Sequence, residues 1–521
     1  MSNSLHIIDY IIIILSLVVT IGVGLRFAKK KTSTSQFFSA SGNVPAWAVG
    51  MSIFATLISS LTFLAYPGAS FGSNWILLVQ GIMVPITLIV IIPFIVPLYR
   101  DVIKISAYEY FEKRFGYFAR AYSSIGFIFA HLSKMGSVFF VLALALTSMT
   151  GVDTYWVIVI LGIAIILLTL LGGMEAVIWL DVIQGFLLIF GGLISLVFII
   201  VNMDGGLGAI LDIASQNKKI NLGPFDWDFV NLTFWVMSIN GIFYALQKYG
   251  TDQTIVQRYL TAKSDKEAKK ASILGVLMVV PVWTLFMFIG TALFAFYTLE
   301  VNMLPDGIRD DAVFPHFIMT KLPVGVVGII ISALLAAAIS SLDSDLNCLS
   351  AVGMDDFYKK LRPNSTDKQQ VKVGKFLVAL SGIIAMVIAS IYVSAGSEGV
   401  LGVIFMLYAI FSGGIVGIFL LGIFVPRVNK QGLYIGIAAS VLFTGYALLT
   451  SKPIGESNQM VLDFGTFNFT HHKYMLGVYS HVVLFFISWG ASYFFPKKEV
   501  DKRLTYRGYL ERKRAQKDSL K

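Results

Sequence analysis

The chain is short of charge and almost without cysteine. One thiol, Cys348, in 521 residues excludes an intrachain disulfide framework and any metal cluster built from several cysteines. Asp, Glu, Lys and Arg make up 13% of the sequence, about half the share usual in a soluble domain. That is too little polar material to cover a water-soluble globule. Period-2 alternation of apolar and polar residues is also missing, which argues against an outer-membrane barrel. Apolar length is what the sequence has: 56% of its residues are hydrophobic and mean hydropathy is +0.78. An all-α membrane protein is the class that remains.

Thirteen stretches are long enough to cross about 30 Å of hydrocarbon. They fall near 7–27, 46–66, 75–99, 119–149, 155–172, 175–202, 230–249, 273–299, 323–348, 373–395, 398–427, 432–450 and 474–495. The first is too long for the core of a signal peptide, lacks a positive leader and is followed by Lys29, Lys30 and Lys31; it reads as a retained span. With the amino terminus outside, the loops assigned to the cytoplasm hold 33 of the 40 Lys and Arg, the outer loops hold six, and Lys134 is left within the membrane. This asymmetry is the positive-inside pattern. It predicts a multi-pass cell-membrane protein with its amino end outside and its carboxyl end in the cytoplasm. The net charge of +10 therefore marks one membrane face and does not call for nucleic acid. The basic tail after Pro496 reads as a solvated segment near anionic headgroups.

Polar side chains at bilayer depth are costly, about 2.5 to 3.5 kcal/mol for Lys or Asp near a helix centre, so each needs a partner or a task. The second stretch crowds Thr56, Ser59, Ser60 and Thr62 near mid-depth, ahead of Pro67 and Gly68. Hydroxyls that compete for backbone hydrogen bonds, followed by Pro-Gly, make this helix a candidate for local unwinding; close packing of small residues is the plainer reading. In the ninth stretch Ala337, Ser340, Ser341 and Ser344 fall on one helical stripe. Opposite freed carbonyls, such a stripe suits a hard monovalent cation, and again small-residue packing is the alternative. Plain hydration is the expectation for Asp345. Asp181 and Gln184 lie inside the sixth stretch, and Lys134 lies mid-helix in the fourth with His131 one turn away. An acid at that depth suggests an ion-related role. Lys134 suggests a buried partner or an anionic ligand, and His131 a packed ring.

At these residues the sequence resembles the sodium:solute symporter family. The resemblance is carried by KYGTDQTIVQRYLTAKS at 248–264, AAAISSLDS at 336–344 and AVIWLDVIQG at 176–185. It implies a leucine-transporter-like core: a leading helix and cytoplasmic loop (1–45), a first five-helix repeat (46–202), a second, inverted one (230–427), two trailing helices (428–495) and a basic cytoplasmic tail (496–521). Five is odd, so the second repeat must enter the membrane upside down. Each repeat should open with a broken helix, the second at Asn240-Gly241. The sodium site implied uses the carbonyls of Ala55, Ile58 and Ala337 with the hydroxyls of Ser340 and Ser341. A second sodium would fall on Asp181, Ser340 and Ser344, but Asp343 stands where that site expects a hydroxyl, which puts a second ion in doubt.

The second stretch, with Gln80 and the membrane lysine, looks most like the sodium/sialic acid branch. Lys134 would face a sugar carboxylate, Ser59, Ser60 and Thr62 would bind carboxylate or hydroxyls, and Phe243 or Tyr244 would close the pocket. A neutral sugar such as glucose, galactose or inositol is the alternative, and a proline-type solute a further one. The activity implied is sodium-driven symport by alternating access, with sodium, a small solute and the lipid bilayer as partners and no obligate protein partner indicated. A membrane enzyme or redox subunit would need convergent chemistry such as paired intramembrane histidines, and only His131 and His481 of the six lie well inside stretches. A passive channel would show uptake indifferent to sodium.

Overall fold

Within hydrocarbon a helix satisfies every backbone donor and acceptor internally, so apolar stretches of this length fold as helices and pack through their small and polar faces. The computed structural model describes residues 5–26, 33–300, 304–394, 413–451 and 462–518. Residues 398–412 of the eleventh apolar stretch, and Lys29 to Lys31, lie outside the described residues.

The main helices are α1 (Ile7–Arg26), α2 (Ala46–Leu57), α3 (Ser60–Gly72), α4 (Leu78–Val102), α5 (Glu109–Phe115), α6 (Tyr117–Thr150) and α7 (Thr154–Val201). They continue as α8 (Phe234–Gly250), α9 (Gln253–Thr261), α10 (Asp265–Leu299), α11 (Asp310–Lys321), α12 (Val326–Val352) and α13 (Asp367–Ser394). The last four are α14 (Ile415–Phe424), α15 (Lys430–Thr450), α16 (Lys473–Ala491) and α17 (Tyr506–Asp518). Among the described residues nine helices are long and apolar enough to cross a membrane, or ten when α2 and α3 count as one span bent by 54°. No strand occurs among these residues, only an isolated bridge between Val44 and Ala262.

The fifth and sixth apolar stretches are the two halves of α7, which turns at Gly173. Its φ of +58° suits glycine, and a Cβ there would stand 2.8 Å from the Phe37 carbonyl. The turn between those stretches is therefore one kinked residue. The most enclosed helix is α12, buried from end to end against α7, α6, α13 and α2; α1 leaves most of its apolar face exposed. Because α12 is surrounded, polar groups on it must meet protein and not lipid. On the other side α10 lies along α2 and α3. Gly290 permits that approach, since a Cβ there would fall 2.0 Å from the Pro67 carbonyl.

Three sequence expectations differ. Pro67 and Gly68 do not stop the helix: α3 runs through them to Gly72, and the break lies at Ile58 and Ser59. A proline interrupts one ladder bond only; here the Ser70 hydroxyl donates to the Met287 carbonyl at 2.6 Å and ties that turn to α10. Second, α8 is continuous through Asn240 and Gly241, where Asn240 donates to the Gln80 side chain at 3.0 Å. Third, the basic tail forms α17, with Arg512 on Asp101 at 2.9 Å and the Tyr509 hydroxyl on the Pro93 carbonyl at 3.0 Å, so part of it docks on the end of α4.

Candidate functional site: a broken span beside a buried ion network

Between α2 and α3 the backbone is extended, with φ −102° and ψ 114° at Ile58 and φ −116° and ψ 177° at Ser59. The last four carbonyls of α2, those of Phe54 to Leu57, have no partner one turn on, as at any helix end. At a membrane-buried end they need another donor or a cation. The polar stripe of α12 passes there. Ser341 donates toward the Ile58 carbonyl at 3.5 Å, the outer limit of a hydrogen bond, and Ala55, Ala337 and Ser340 are buried. The Ser60 hydroxyl is fully buried and has no partner among the described residues. Thr56 donates to the Ser52 carbonyl at 2.7 Å and lies 3.3 Å from the Ser344 hydroxyl.

Asp181 on α7 approaches the same stripe. One carboxylate oxygen accepts from Ser340 at 2.5 Å; the other accepts from Ser52 at 2.5 Å and from the Arg258 guanidinium at 2.9 Å. Arg258 donates further to Ser52 and to Ser344, both at 2.7 Å. Because Ser340 spends its proton on Asp181, its lone pairs are free for a cation. Asp343 is turned elsewhere and accepts from Thr169 at 2.5 Å. Of the second-sodium residues, Asp181, Ser340 and Ser344 come together around Arg258 and Asp343 does not join them. Arg258 was missed because its sequence position puts it in a basic cytoplasmic segment. It lies on α9, which Asp252 caps, and is entirely buried.

A second network joins α6, α12 and the α8–α9 junction. Lys134 pairs with Asp345 at 3.0 Å. His131 bridges two acids, Nδ1 2.9 Å from Asp345 and Nε2 3.2 Å from Asp252. Lys248 pairs with Asp252 at 2.6 Å. Asp345 is therefore not hydrated; it is buried between two cationic or proton-donating side chains, because α12 offers no route to water at that turn. His131 is packed, 4.0 Å between ring centroids from Phe127, and also hydrogen-bonded. Near the start of α6, Arg120 reaches Asp355 at 2.6 Å and Glu112 at 2.7 Å, and also pairs with Asp356. No periodicity in sequence signals these pairings.

Among the other substrate candidates, Ser59 and Thr62 are buried beside the break, and Tyr244 lies within the electrostatic reach of Lys134. Gln80 is engaged with Asn240. Phe243 stacks on His481, ring centroids 5.6 Å apart and planes within 5°.

The family model for the sodium:solute symporter family matches residues 37–439. The chain is 33% identical over 441 residues to the sodium/sialic acid symporter NanT of Aliivibrio fischeri, covering 84% of this chain and 87% of that one. It is 33% identical over 437 residues to the sodium/sialic acid symporter SiaT of Proteus mirabilis, covering 84% and 88%. The sodium/glucose cotransporter of Vibrio parahaemolyticus is 30% identical over 468 residues, 85% of each chain. The solved substrate-bound, outward-open state of a sodium-coupled sialic acid symporter superposes with a TM-score of 0.86 at 30% identity, over 95% of this chain and all of that one. Mhp1, a nucleobase-cation-symport-1 family transporter, superposes at 0.59 with 15% identity, over 89% and 96%, and shares the fold alone.

The chain belongs to the sodium:solute symporter family. It is a multi-pass membrane transporter, built of helices among its described residues, and not an enzyme.

Proposed function

We propose that the protein imports sialic acid together with sodium by alternating access. The observation that carries the reading is the break at Ile58 and Ser59 facing the Ser341 hydroxyl at 3.5 Å. Sodium sits among the carbonyls of Ala55, Ile58 and Ala337 and the hydroxyls of Ser340 and Ser341. It ties the broken span to α12 and keeps the substrate pocket shaped; its departure to the cytoplasm releases that tie and opens the inner gate. Ser59, Ser60, Thr62, Gln80, Lys134, Phe243 and Tyr244 form the substrate side. Relatives that are sodium/sialic acid symporters by name, matched over most of both chains, support the choice of solute.

The architecture proposed is thirteen spans with the amino terminus outside and the carboxyl terminus in the cytoplasm. Residues 46–202 and 230–427 form two inverted five-helix repeats, between the leading segment 1–45 and the trailing helices and tail 428–521. One sodium is carried per cycle. The second set, Asp181, Ser340, Asp343 and Ser344, already receives the positive charge of Arg258, and Asp343 is engaged by Thr169. A sodium moving down 100 mV releases about 2.3 kcal/mol, and a tenfold gradient adds about 1.4 kcal/mol. A monoanion carried 1:1 gives the voltage share back and runs on the concentration gradient alone.

A neutral sugar is the second reading, and the Lys134–Asp345 pair favours it, since a lysine already neutralised asks for no carboxylate. The deciding experiment is uptake of labelled N-acetylneuraminate into proteoliposomes of the purified protein, with unlabelled N-acetylneuraminate, glucose, inositol and proline as competitors. Sodium-dependent uptake blocked only by the unlabelled acid is the expected result. Block by glucose or inositol selects the neutral reading, and uptake indifferent to sodium removes symport.

A further inference from the structure

We infer that Asp345 is a built-in stand-in for the substrate's carboxylate: it holds Lys134 in the empty pocket and gives it up when an acidic sugar arrives. The inference rests on the proposed meeting of Lys134 with a substrate carboxylate, and it explains how a neutralised lysine can still select an acid.

The two ends of the pair are built differently. Asp345 is wholly buried on α12, with a short side chain that a surrounded helix cannot move far. Lys134 keeps about a quarter of its side chain exposed, 24%, on a flexible four-carbon stem. Lys134 is the partner free to move. Leaving a buried carboxylate without a partner costs several kcal/mol, but Asp345 is not left alone, because His131 Nδ1 stands 2.9 Å from the same oxygen that faces Lys134 at 3.3 Å.

The exchange also has a direction. A neutral imidazole donates through one nitrogen only, and His131 faces Asp345 with one and Asp252 with the other. When Lys134 swings to the substrate, Asp345 keeps its contact with His131 Nδ1 at 2.9 Å, and the ring remains the link from Asp345 to Asp252. Asp252 is then held by Lys248 at 2.6 Å and by Thr254 through its amide at 2.8 Å and its hydroxyl at 2.5 Å. Occupancy of the pocket is thereby passed from α6 and α12 to the α8–α9 junction. A neutral sugar triggers none of this, because it has nothing to offer Lys134 in place of Asp345.

The test measures binding of N-acetylneuraminate and of the neutral N-acetylmannosamine to the purified protein in sodium. Removing the internal competitor with Asp345→Asn should tighten binding of the acid by about tenfold or more, on the scale of about 1.4 kcal/mol per decade, and leave the neutral sugar unchanged. Asp345→Asn that is folded yet binds the acid no better overturns the inference. Should that variant not fold, Lys134→Gln and Lys134→Gln/Asp345→Asn carry the test, the latter having no uncompensated charge in the pair. With the lysine gone Asp345 has nothing to withhold, so the single and double variants should bind the acid equally weakly; a double variant that binds the acid several-fold more tightly than the single one would show that Asp345 merely repels the carboxylate and overturns the inference equally. Wild-type protein that binds neither acid nor neutral sugar refutes the proposed function instead.

Discussion

Replacing Ser341 by alanine tests the proposed ion site with the least disturbance. The Ser341 and Ile58 oxygens are 3.5 Å apart. An ion about 2.4 Å from each, the distance usual for oxygen ligands of hard cations of similar size, would see them about 90° apart, an ordinary angle for neighbouring ligands. The hydroxyl needs only to rotate its proton away from Ile58 to present a lone pair. At 3.5 Å the bond it gives up is weak, so Ser341→Ala loses little besides the ligand. A hydrogen bond to a charged group is worth about 1.5 to 3 kcal/mol, and taking an ion–hydroxyl contact as comparable, the sodium concentration for half-maximal uptake should rise by about one to two decades. The maximal rate at saturating sodium should change much less. The assay is initial-rate uptake into proteoliposomes across a sodium series, with thermal unfolding of the same preparation as a control. An unchanged sodium dependence in a folded variant would remove Ser341 from the site and with it the tie between the broken span and α12.

Asp181→Asn should leave the buried Arg258 guanidinium without its counter-charge and lower stability by about 3 kcal/mol or more, the usual cost of breaking a buried pair from one side; thermal unfolding reads it, and Asp181→Asn/Arg258→Met should recover most of the loss. With one sodium and one monoanion moving together, uptake of N-acetylneuraminate should be insensitive to a potential clamped with potassium and valinomycin. Stimulation by an inside-negative potential would instead require a second sodium. Gly290→Leu should drive a side chain into the Pro67 carbonyl, which a Cβ alone would approach to 2.0 Å, and cost about 1 to 3 kcal/mol or more by overpacking; a variant with wild-type unfolding temperature would show that α3 and α10 part easily.

Hydrophobic length and the placement of Lys and Arg made the class of the molecule legible in sequence, because the bilayer imposes both over whole segments. The break in the second span is legible as a crowd of hydroxyls, whereas Pro67, nine residues past Ile58, marks no break. A proline costs one ladder bond, whereas Thr56, Ser59 and Ser60 together offer the backbone several other partners. Asn240-Gly241 misled for the converse reason: Asn240 has a partner in Gln80, and the helix keeps its own bonds. Arg258 and Asp345 were illegible in principle. Each was read as a cytoplasmic or hydrated charge, and each is buried because a residue far away in sequence, Asp181 or Lys134, completes it.

Those pairings bear on how the ion is held. Three acids close to the break each have an opposite charge: Asp181 has Arg258, Asp345 has Lys134, and Asp252 has Lys248. The sodium ligands proposed, three carbonyls and two hydroxyls, are neutral. In the site proposed, Asp181 would act on the ion through Ser340, whose proton it accepts at 2.5 Å, its charge sharpening a ligand without becoming one. A carboxylate bound directly to sodium in this dry setting would hold the ion more tightly than neutral oxygens do and slow its release, whereas a carried ion must bind well enough to enter and weakly enough to leave. Arg258 prevents that by occupying Asp181. If this is right, Arg258→Met should tighten sodium binding while slowing the cycle, and a variant that weakened sodium binding with the protein still folded would show that the arginine assists the ion and does not restrain it.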